Sequence, residues 1–169
     1  ATEELHMTAA QYGRVMAAGS VVSAVVIVLV GYVMDKIHPL RVFLGSGIIV
    51  ILANIWGYYY VTDYASFFVV GIAISVVYAI QYLSNGPVFV DLFPPDKYGQ
   101  FCSANAMMNC VLLIFANYFG GMAIDRFGYR FIFAWDTIFT IGATLALIYV
   151  YVKWKQLGGA KGYVPPPTD

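Results

Sequence analysis

Four polar side chains follow one another at helical spacing within an otherwise apolar part of the chain. They are Tyr78, Gln81, Tyr82 and Asn85. Their spacing of i, i+3, i+4 and i+7 would place them in one stripe along a helix. Hydroxyl and amide groups donate and accept hydrogen bonds without carrying charge. The stripe therefore predicts either a binding surface for a polar uncharged solute, such as a sugar, or hydrogen bonds that join neighbouring helices.

A second apolar segment, residues 100–124, contains the asparagines Asn105, Asn109 and Asn117. Asn105 and Asn109 are one helical turn apart, and we add these two to the candidate solute-binding residues. Amide side chains inside apolar helices also form hydrogen bonds between helices. Both roles are therefore open for this segment.

One carboxylate, Asp136, lies inside an apolar segment, about two helical turns after Arg130. Ionisable side chains are costly within a membrane and are often functional there. Asp136 is therefore a candidate site for a coupling cation or proton. The alternative is a structural ion pair with Arg14, which we expect on the same side of the membrane.

Long uncharged segments must position these residues. Residues 15–34, 42–62, 64–90 and 98–124 contain no Asp, Glu, Lys or Arg, and residues 131–152 contain only Asp136. A helix needs ~20 apolar residues to cross a bilayer. Hydrophobic residues make up 61% of the 169 and charged residues 11%, whereas a soluble domain has roughly 25% charged residues. Most of the chain is therefore expected to lie in lipid.

Backbone polar groups find no water in hydrocarbon, and helices satisfy them internally. The sequence therefore predicts an all-α polytopic membrane protein with five transmembrane helices, within residues 1–157. We expect the spans at about residues 12–34, 42–62, 64–92, 100–124 and 131–153. A tail rich in Gly and Pro follows at residues 158–169.

The basic residues predict the orientation in an inner or plasma membrane. One side would receive Lys36, Arg41, Lys97, Lys153, Lys155 and Lys161, and the other Arg14, Arg126 and Arg130. Cytoplasmic loops carry the excess of Lys and Arg. This bias predicts an N-terminus outside the cell and a cytoplasmic C-terminal tail.

Other classes of function have little support. The net charge is zero, which gives no reason to expect nucleic acid as a partner. Cys102 and Cys110 are eight residues apart, or ~12 Å along a helix, which is too far for a disulfide within that helix. The histidines and cysteines do not have metal-ligand spacing. We therefore expect no enzyme, no catalytic residue, no metal and no cofactor.

Two loops carry a family pattern. The motif residues are Gly31, Asp35, Lys36 and Arg41 in the first loop and Gly121, Asp125, Arg126, Gly128 and Arg130 in the last. The first set resembles the Gly-x-x-x-Asp-Arg/Lys loop of the major facilitator superfamily, although residues 37–40, Ile-His-Pro-Leu, lack the glycine and two basic residues of the family pattern. The last set resembles the turn before the final helix of a six-helix half, and residues 94–100 resemble the turn between the fourth and fifth helices.

This resemblance covers nearly the whole chain and implies helices eight to twelve of a transporter. Members of this family rock two six-helix halves around a site at the membrane midplane, and their tenth helix, here the one with Tyr78, lines the central cavity. The resemblance implies a truncated, C-terminal portion of a secondary transporter that is unable to transport alone. Its expected partners are the lipid bilayer, the missing transporter half or other transmembrane subunits, and a small polar solute. The alternative is a non-transporting structural subunit of a larger membrane complex, for example a respiratory or photosynthetic one.

Overall fold

Five long helices form the protein. A computed structural model describes residues 7–128 and 130–165. The helices are α1 (Ala9–Ile37), α2 (Pro39–Tyr60), α3 (Tyr64–Leu92), α4 (Tyr98–Phe127) and α5 (Phe131–Gln156), followed by the single turn α6 (Gly159–Gly162). A 3-10 turn, Pro95–Lys97, precedes α4. All five long helices are long and apolar enough to cross a membrane, and no strand is present among the described residues. The predicted all-α polytopic fold is confirmed, and the protein is an integral membrane protein.

Side-chain caps begin two of these helices. Thr8 Oγ1 accepts a hydrogen bond from the backbone N–H of Gln11 at 3.2 Å, and Gln11 Oε1 accepts one from the backbone N–H of Thr8 at 2.8 Å. Asp63 and Ser66 form the same reciprocal pair at the start of α3. Such pairs satisfy backbone donors that have no partner inside the helix, so these sequences set where α1 and α3 begin.

The junction between α1 and α2 is a single residue, His38, with φ 88° and ψ 131°. The second predicted span began at residue 42, but α2 already begins at Pro39. Proline suits the first helical position because the N–H that it lacks has no helical partner there. The chain therefore turns from one membrane helix into the next through one residue with a backbone conformation that is uncommon for residues other than glycine.

Small residues let α2 and α5 approach closely. A Cβ atom on Gly57 would lie 2.7 Å from the Phe133 ring, and one on Gly47 would lie 2.9 Å from Thr144 Oγ1. As residue numbers fall along α2 they rise along α5, so the two helices run antiparallel. Close backbone approach at small residues is the usual basis of helix packing in membranes.

Small residues also allow close contact between α1 and α3. A Cβ atom on Gly19 would lie 2.7 Å from Ser75 Oγ, and one on Gly71 would lie 2.7 Å from Val15 Cγ1. Further along, Ser84 Oγ donates a hydrogen bond to Met34 Sδ at 3.2 Å. These contacts hold α1 and α3 parallel, beside the pair of α2 and α5.

Helix α4 differs from the other four because none of its residues is buried. It meets α5 and the end of α3 through only a few contacts. Most of its surface must therefore be covered by lipid or by other protein, since the bilayer contains no water to solvate it.

Candidate functional site

Asp136 joins three helices through hydrogen bonds. Its Oδ2 atom accepts one from the Tyr78 hydroxyl at 2.6 Å and another from Asn54 Nδ2. Asn54 lies on α2, Tyr78 on α3 and Asp136 on α5, and Asn54 is only 2% exposed. We call these three residues the Asp136 cluster. Because both partners are neutral donors, the cluster holds the carboxylate without placing a positive charge beside it.

The register of α2 against α5 creates this cluster. Asn54 faces Asp136 between the close contacts that Gly57 makes with Phe133 and Gly47 makes with Thr144. A helical side chain leans toward the N-terminus of its own helix. Tyr78 lies near the middle of α3, and this tilt carries its hydroxyl toward Asp136, near the start of α5.

The cluster opens into a cleft of about 830 Å³ between the helices. We call it the Asp136 cleft. Besides the cluster, its polar lining groups come from Tyr12, Ser75, Asn117 and Trp135. Apolar residues and the glycines of α3 and α4 form the remaining wall. A few uncharged hydrogen-bonding groups in a mostly apolar concavity are typical of a small-molecule site.

The structure separates the residues of the predicted polar stripe. Tyr78 lines the Asp136 cleft. Gln81 lies beside the contact of α2 with α5, with Nε2 3.9 Å from the position of a Cβ atom on Gly47. Tyr82 is 87% exposed, and Asn85 is half-buried. The three residues other than Tyr78 lie outside the cleft, so their part in solute binding stays a prediction.

Asn105 and Asn109 lie on α4, where Asn105 is half-buried and Asn109 is exposed. Neither lines the Asp136 cleft, whereas Asn117 on the same helix does. Their part in solute binding also stays a prediction.

Arg14 does not pair with Asp136 in this structure. Among the described residues, His38 Nε2 and Asp91 Oδ2 form a contact of 3.6 Å between a basic side chain and a carboxylate. Tyr12 and Met16 of α1 line the cleft, and Arg14, two residues from each, lies on nearly the opposite side of a helix with 3.6 residues per turn. Its side chain is exposed there, so α1 turns the cation away from the carboxylate.

Asn54 is the cluster residue that the sequence did not single out. Asn54 is recognisable in the sequence as an isolated amide side chain within the apolar segment 42–62. Nothing in that segment indicates which helix would face Asn54, because helix contacts between distant segments are set by packing. Its partnership with Asp136 is therefore a tertiary feature.

A second cavity of about 760 Å³ lies at the other end of the bundle. The first loop motif contributes Asp35, Lys36 and Arg41 to its wall, together with His38 and Asp91. We call it the His38 pocket. Lys36 Nζ lies 4.2 Å from the centre of the Tyr32 ring, a cation–π contact. Gly31, the first motif residue, lies half-buried within α1.

The last loop motif surrounds the end of α4. Gly121 lines the Asp136 cleft, and Asp125 and Arg126 are exposed on the last turn. Gly128 ends the helix with φ 85°, and its N–H donates a hydrogen bond to the Ile124 carbonyl at 2.8 Å. Arg130 directly precedes α5. Glycine tolerates this positive φ at no steric cost, which allows the sharp turn between α4 and α5.

Comparison with known proteins gives one result for the whole chain. The family model of the Major Facilitator Superfamily matches residues 1–167. Comparison with curated proteins and with solved structures finds no match. The match spans all five membrane helices and both loop motifs. The chain therefore belongs to the Major Facilitator Superfamily, a family of membrane transporters.

Proposed function

We propose that the protein acts in a secondary carrier that moves a small, polar, uncharged solute such as a sugar across the membrane. The observation that carries this proposal is the Asp136 cleft, which combines apolar walls with a few uncharged hydrogen-bonding groups and the carboxylate of Asp136. Its volume of about 830 Å³ is within the range of small-molecule sites. The family supports transport as the activity.

The chemistry of the cleft suits hydroxyl groups on the solute. Tyr12, Tyr78 and Asn117 offer both donors and acceptors, and Trp135 offers an N–H donor. The rings of Tyr12 and Trp135 also present apolar faces beside their polar tips. A sugar combines hydroxyl groups with apolar C–H faces and could use both kinds of surface.

The Asp136 cleft would open to the outside and the His38 pocket to the cytoplasm. The support is the distribution of basic residues, because Lys36, Arg41, Lys97, Lys153 and Lys155 belong to the end with the His38 pocket. The positive-inside rule then places the N-terminal end of α1 outside and the last turn of α5 at the cytoplasmic surface.

Further transmembrane helices would complete the carrier. Asn109 is exposed on α4, and Tyr82 is exposed on α3. Polar side chains that face hydrocarbon are costly, and helices in membranes use such groups for contacts with one another. We assign Tyr82, Asn85, Asn105 and Asn109 to a cavity shared with those helices. Five helices cannot rock against a second bundle by themselves, so transport would require these partners.

Equilibrium binding of radiolabelled sugars and polyols to the chain in lipid nanodiscs tests the solute site. We expect saturable binding of one polar solute. Tyr78→Phe or Asn117→Ala should weaken it about fivefold, since one lost hydrogen bond contributes about 1 kcal/mol. Tyr149→Phe is the matched control, because Tyr149 is an exposed tyrosine of α5 outside the cleft.

The result that would overturn the proposal is an absence of saturable binding for every polar solute tested. The structural-subunit alternative would then gain support if the chain co-purified in stoichiometric amounts with a larger membrane complex.

A further inference from the structure

The chain after α5 folds back across the end of the bundle that contains the His38 pocket. Gly158 and Gly159 reverse its direction, with φ of 112° and 57°. A Cβ atom on Gly158 would lie 2.5 Å from the carbonyl carbon of Gly162. The reversal therefore requires glycine at residue 158, both for its positive φ and for the close approach of the backbone. We call residues 158–165 the C-terminal strap.

Tyr163 attaches the C-terminal strap to the end of α3. Its hydroxyl donates a hydrogen bond to the Leu92 carbonyl at 3.0 Å. Leu92 is the last residue of α3, and the carbonyls of a helix's last turn have no partner within the helix. The Tyr163 ring packs against the buried apolar cluster of Leu40, Val88 and Trp154. The strap therefore joins the end of α5, which it follows in sequence, to the end of α3.

This attachment connects two helices that have α2 between them. Helix α2 packs along both α3 and α5, whereas the backbones of α3 and α5 approach each other at few points in the part of the chain that the structure describes. Toward the other end of the bundle, the hydrogen bond between Tyr78 and Asp136 joins the same two helices. Separation of α3 from α5 at the strap end would break the hydrogen bond between Tyr163 and Leu92 and uncover the apolar cluster.

The C-terminal strap also forms part of the His38 pocket, because Ala160 lines that pocket. The rest of the wall comes from the junction of α1 with α2 and from the last turns of α3. Movement of the strap away from α3 would therefore widen the pocket. We propose that the C-terminal strap is a latch. When closed it holds the ends of α3 and α5 together, and it opens the His38 pocket when Tyr163 releases Leu92.

The contacts that the structure describes between the strap and α3 are weak enough for reversible opening. They are a hydrogen bond between neutral groups and the contact of a half-buried tyrosine ring. A neutral hydrogen bond contributes little net stability, because water replaces it when it breaks. In the proposed carrier this end faces the cytoplasm, so opening of the latch would open that side of the protein. This last step rests on the proposed function, whereas the latch itself does not.

The reactivity of a buried thiol in lipid nanodiscs, without solute, tests the latch. In a background with Cys102→Ser and Cys110→Ser, Val88→Cys places a thiol in the apolar cluster, where Val88 is 4% exposed. Adding Tyr163→Phe removes the hydrogen bond but keeps the ring. It should raise the rate at which a water-soluble reagent modifies this thiol about fivefold. Tyr149→Phe is the matched control, because Tyr149 is an exposed tyrosine of α5 outside the strap, and it should leave the rate unchanged.

A pair of glycine variants tests the chain reversal. Gly158→Ala brings a Cβ atom against the strap backbone, at a φ that residues other than glycine rarely adopt. It should displace the whole strap and raise the rate more than Tyr163→Phe does. Nothing lies within 4 Å of a Cβ atom on Gly162, and the φ of Gly162 is not positive. Gly162→Ala, the matched control, should therefore leave the rate unchanged.

A thiol at the other end of the bundle distinguishes opening of the latch from loss of the fold. Val15 is 0% exposed and belongs to the apolar cluster at that end, so the thiol of Val15→Cys should stay unreactive in every variant. Three results would overturn the proposal. They are an unchanged rate at residue 88 in Tyr163→Phe or Gly158→Ala, an equal rise in the control variants, and an equal rise at residue 15.

The solute-binding measurements separate the latch from the carrier function. Strap variants that expose residue 88, in a chain without saturable solute binding, would contradict the carrier function alone. Saturable solute binding in a chain whose residue 88 does not respond to the strap variants would contradict the latch alone.

Discussion

His38 Nε2 lies 3.6 Å from Asp91 Oδ2, so the single residue between α1 and α2 contacts the last turns of α3. The same imidazole lies 4.5 Å from the Trp154 ring of α5, centre to centre, and its Nδ1 accepts a hydrogen bond from the Leu40 N–H at 3.3 Å. Leu40, Val88 and Trp154 form a buried apolar cluster beneath it. His38 therefore joins α1 to α2 and contacts α3 and α5 at one end of the bundle. Its own backbone has a positive φ.

Two substitutions of His38 distinguish the stability that comes from its side-chain contacts from the cost of its strained backbone. His38→Ala and His38→Gly both lose the cap on Leu40 and the contact with Trp154. In His38→Ala, residue 38 keeps the strained φ of 88°, which costs about 1–3 kcal/mol. Glycine relieves this strain, but the greater freedom of its unfolded chain lowers the stability by about 0.4–1 kcal/mol. Thermal unfolding in nanodiscs should show both variants destabilised, with His38→Gly the more stable of the two by roughly 1 kcal/mol. If His38→Gly were instead less stable than His38→Ala by about 0.4–1 kcal/mol, the backbone at residue 38 would not be strained.

Gly57 should not tolerate a methyl group. A Cβ atom there would lie 2.7 Å from the Phe133 ring, whereas nothing lies within 4 Å of the corresponding position on Gly142. Overpacking costs about 1–3 kcal/mol, so Gly57→Ala should destabilise the protein by that amount and disturb the Asp136 cluster one turn away. Gly142→Ala, the control on α5, should be neutral or stabilising by up to about 1 kcal/mol through helix propensity. Denaturant unfolding in detergent micelles measures both, and equal effects would contradict the α2–α5 contact.

The start of α3 should loosen at acidic pH. The Ser66 hydroxyl and then its backbone N–H donate hydrogen bonds to the Asp63 carboxylate and hold the pKa of Asp63 below its ordinary value of 3.8. Because the folded state lowers this pKa, the carboxylate stabilises the cap above about pH 3.8. That contribution is lost as the pH falls through the lower, folded value. Amide hydrogen exchange at Ser66 and Phe67 should report the loss, and Asp63→Asn should remove its pH dependence. Unchanged pH dependence in the variant would assign the effect to another group.

The proposed orientation can be checked with single cysteines. In a background with Cys102→Ser and Cys110→Ser, Asp63→Cys should react with a membrane-impermeant thiol reagent in intact cells. Lys36→Cys should react only after the membrane is permeabilised. Both native side chains are exposed, so accessibility within the protein does not distinguish them. Labelling of both positions from the same face would contradict the five-span topology.

The sequence alone determined the class of fold and its five spans. Long uncharged segments predicted helices because a backbone in hydrocarbon must satisfy its own hydrogen bonds, and this requirement is local to each segment. The loop residues around Asp35 and Asp125 also carried the resemblance to the major facilitator superfamily, which the family model confirmed. Capping residues in the sequence also determine where helices begin, as Thr8 does for α1.

Only the tertiary structure decided which polar residues meet. From the sequence, Asp136 was either a coupling site or a partner of Arg14. The α2–α5 register places Asn54 beside Asp136, and Arg14 is exposed on nearly the opposite side of α1 from the cleft. Tyr78 and Tyr82 belonged to one predicted stripe, yet one bonds to Asp136 and the other is 87% exposed. The physical reason is that lipid and protein interior are about equally apolar. Hydrophobicity therefore reveals which segments enter the membrane, while the close contacts of small residues decide which helix faces meet.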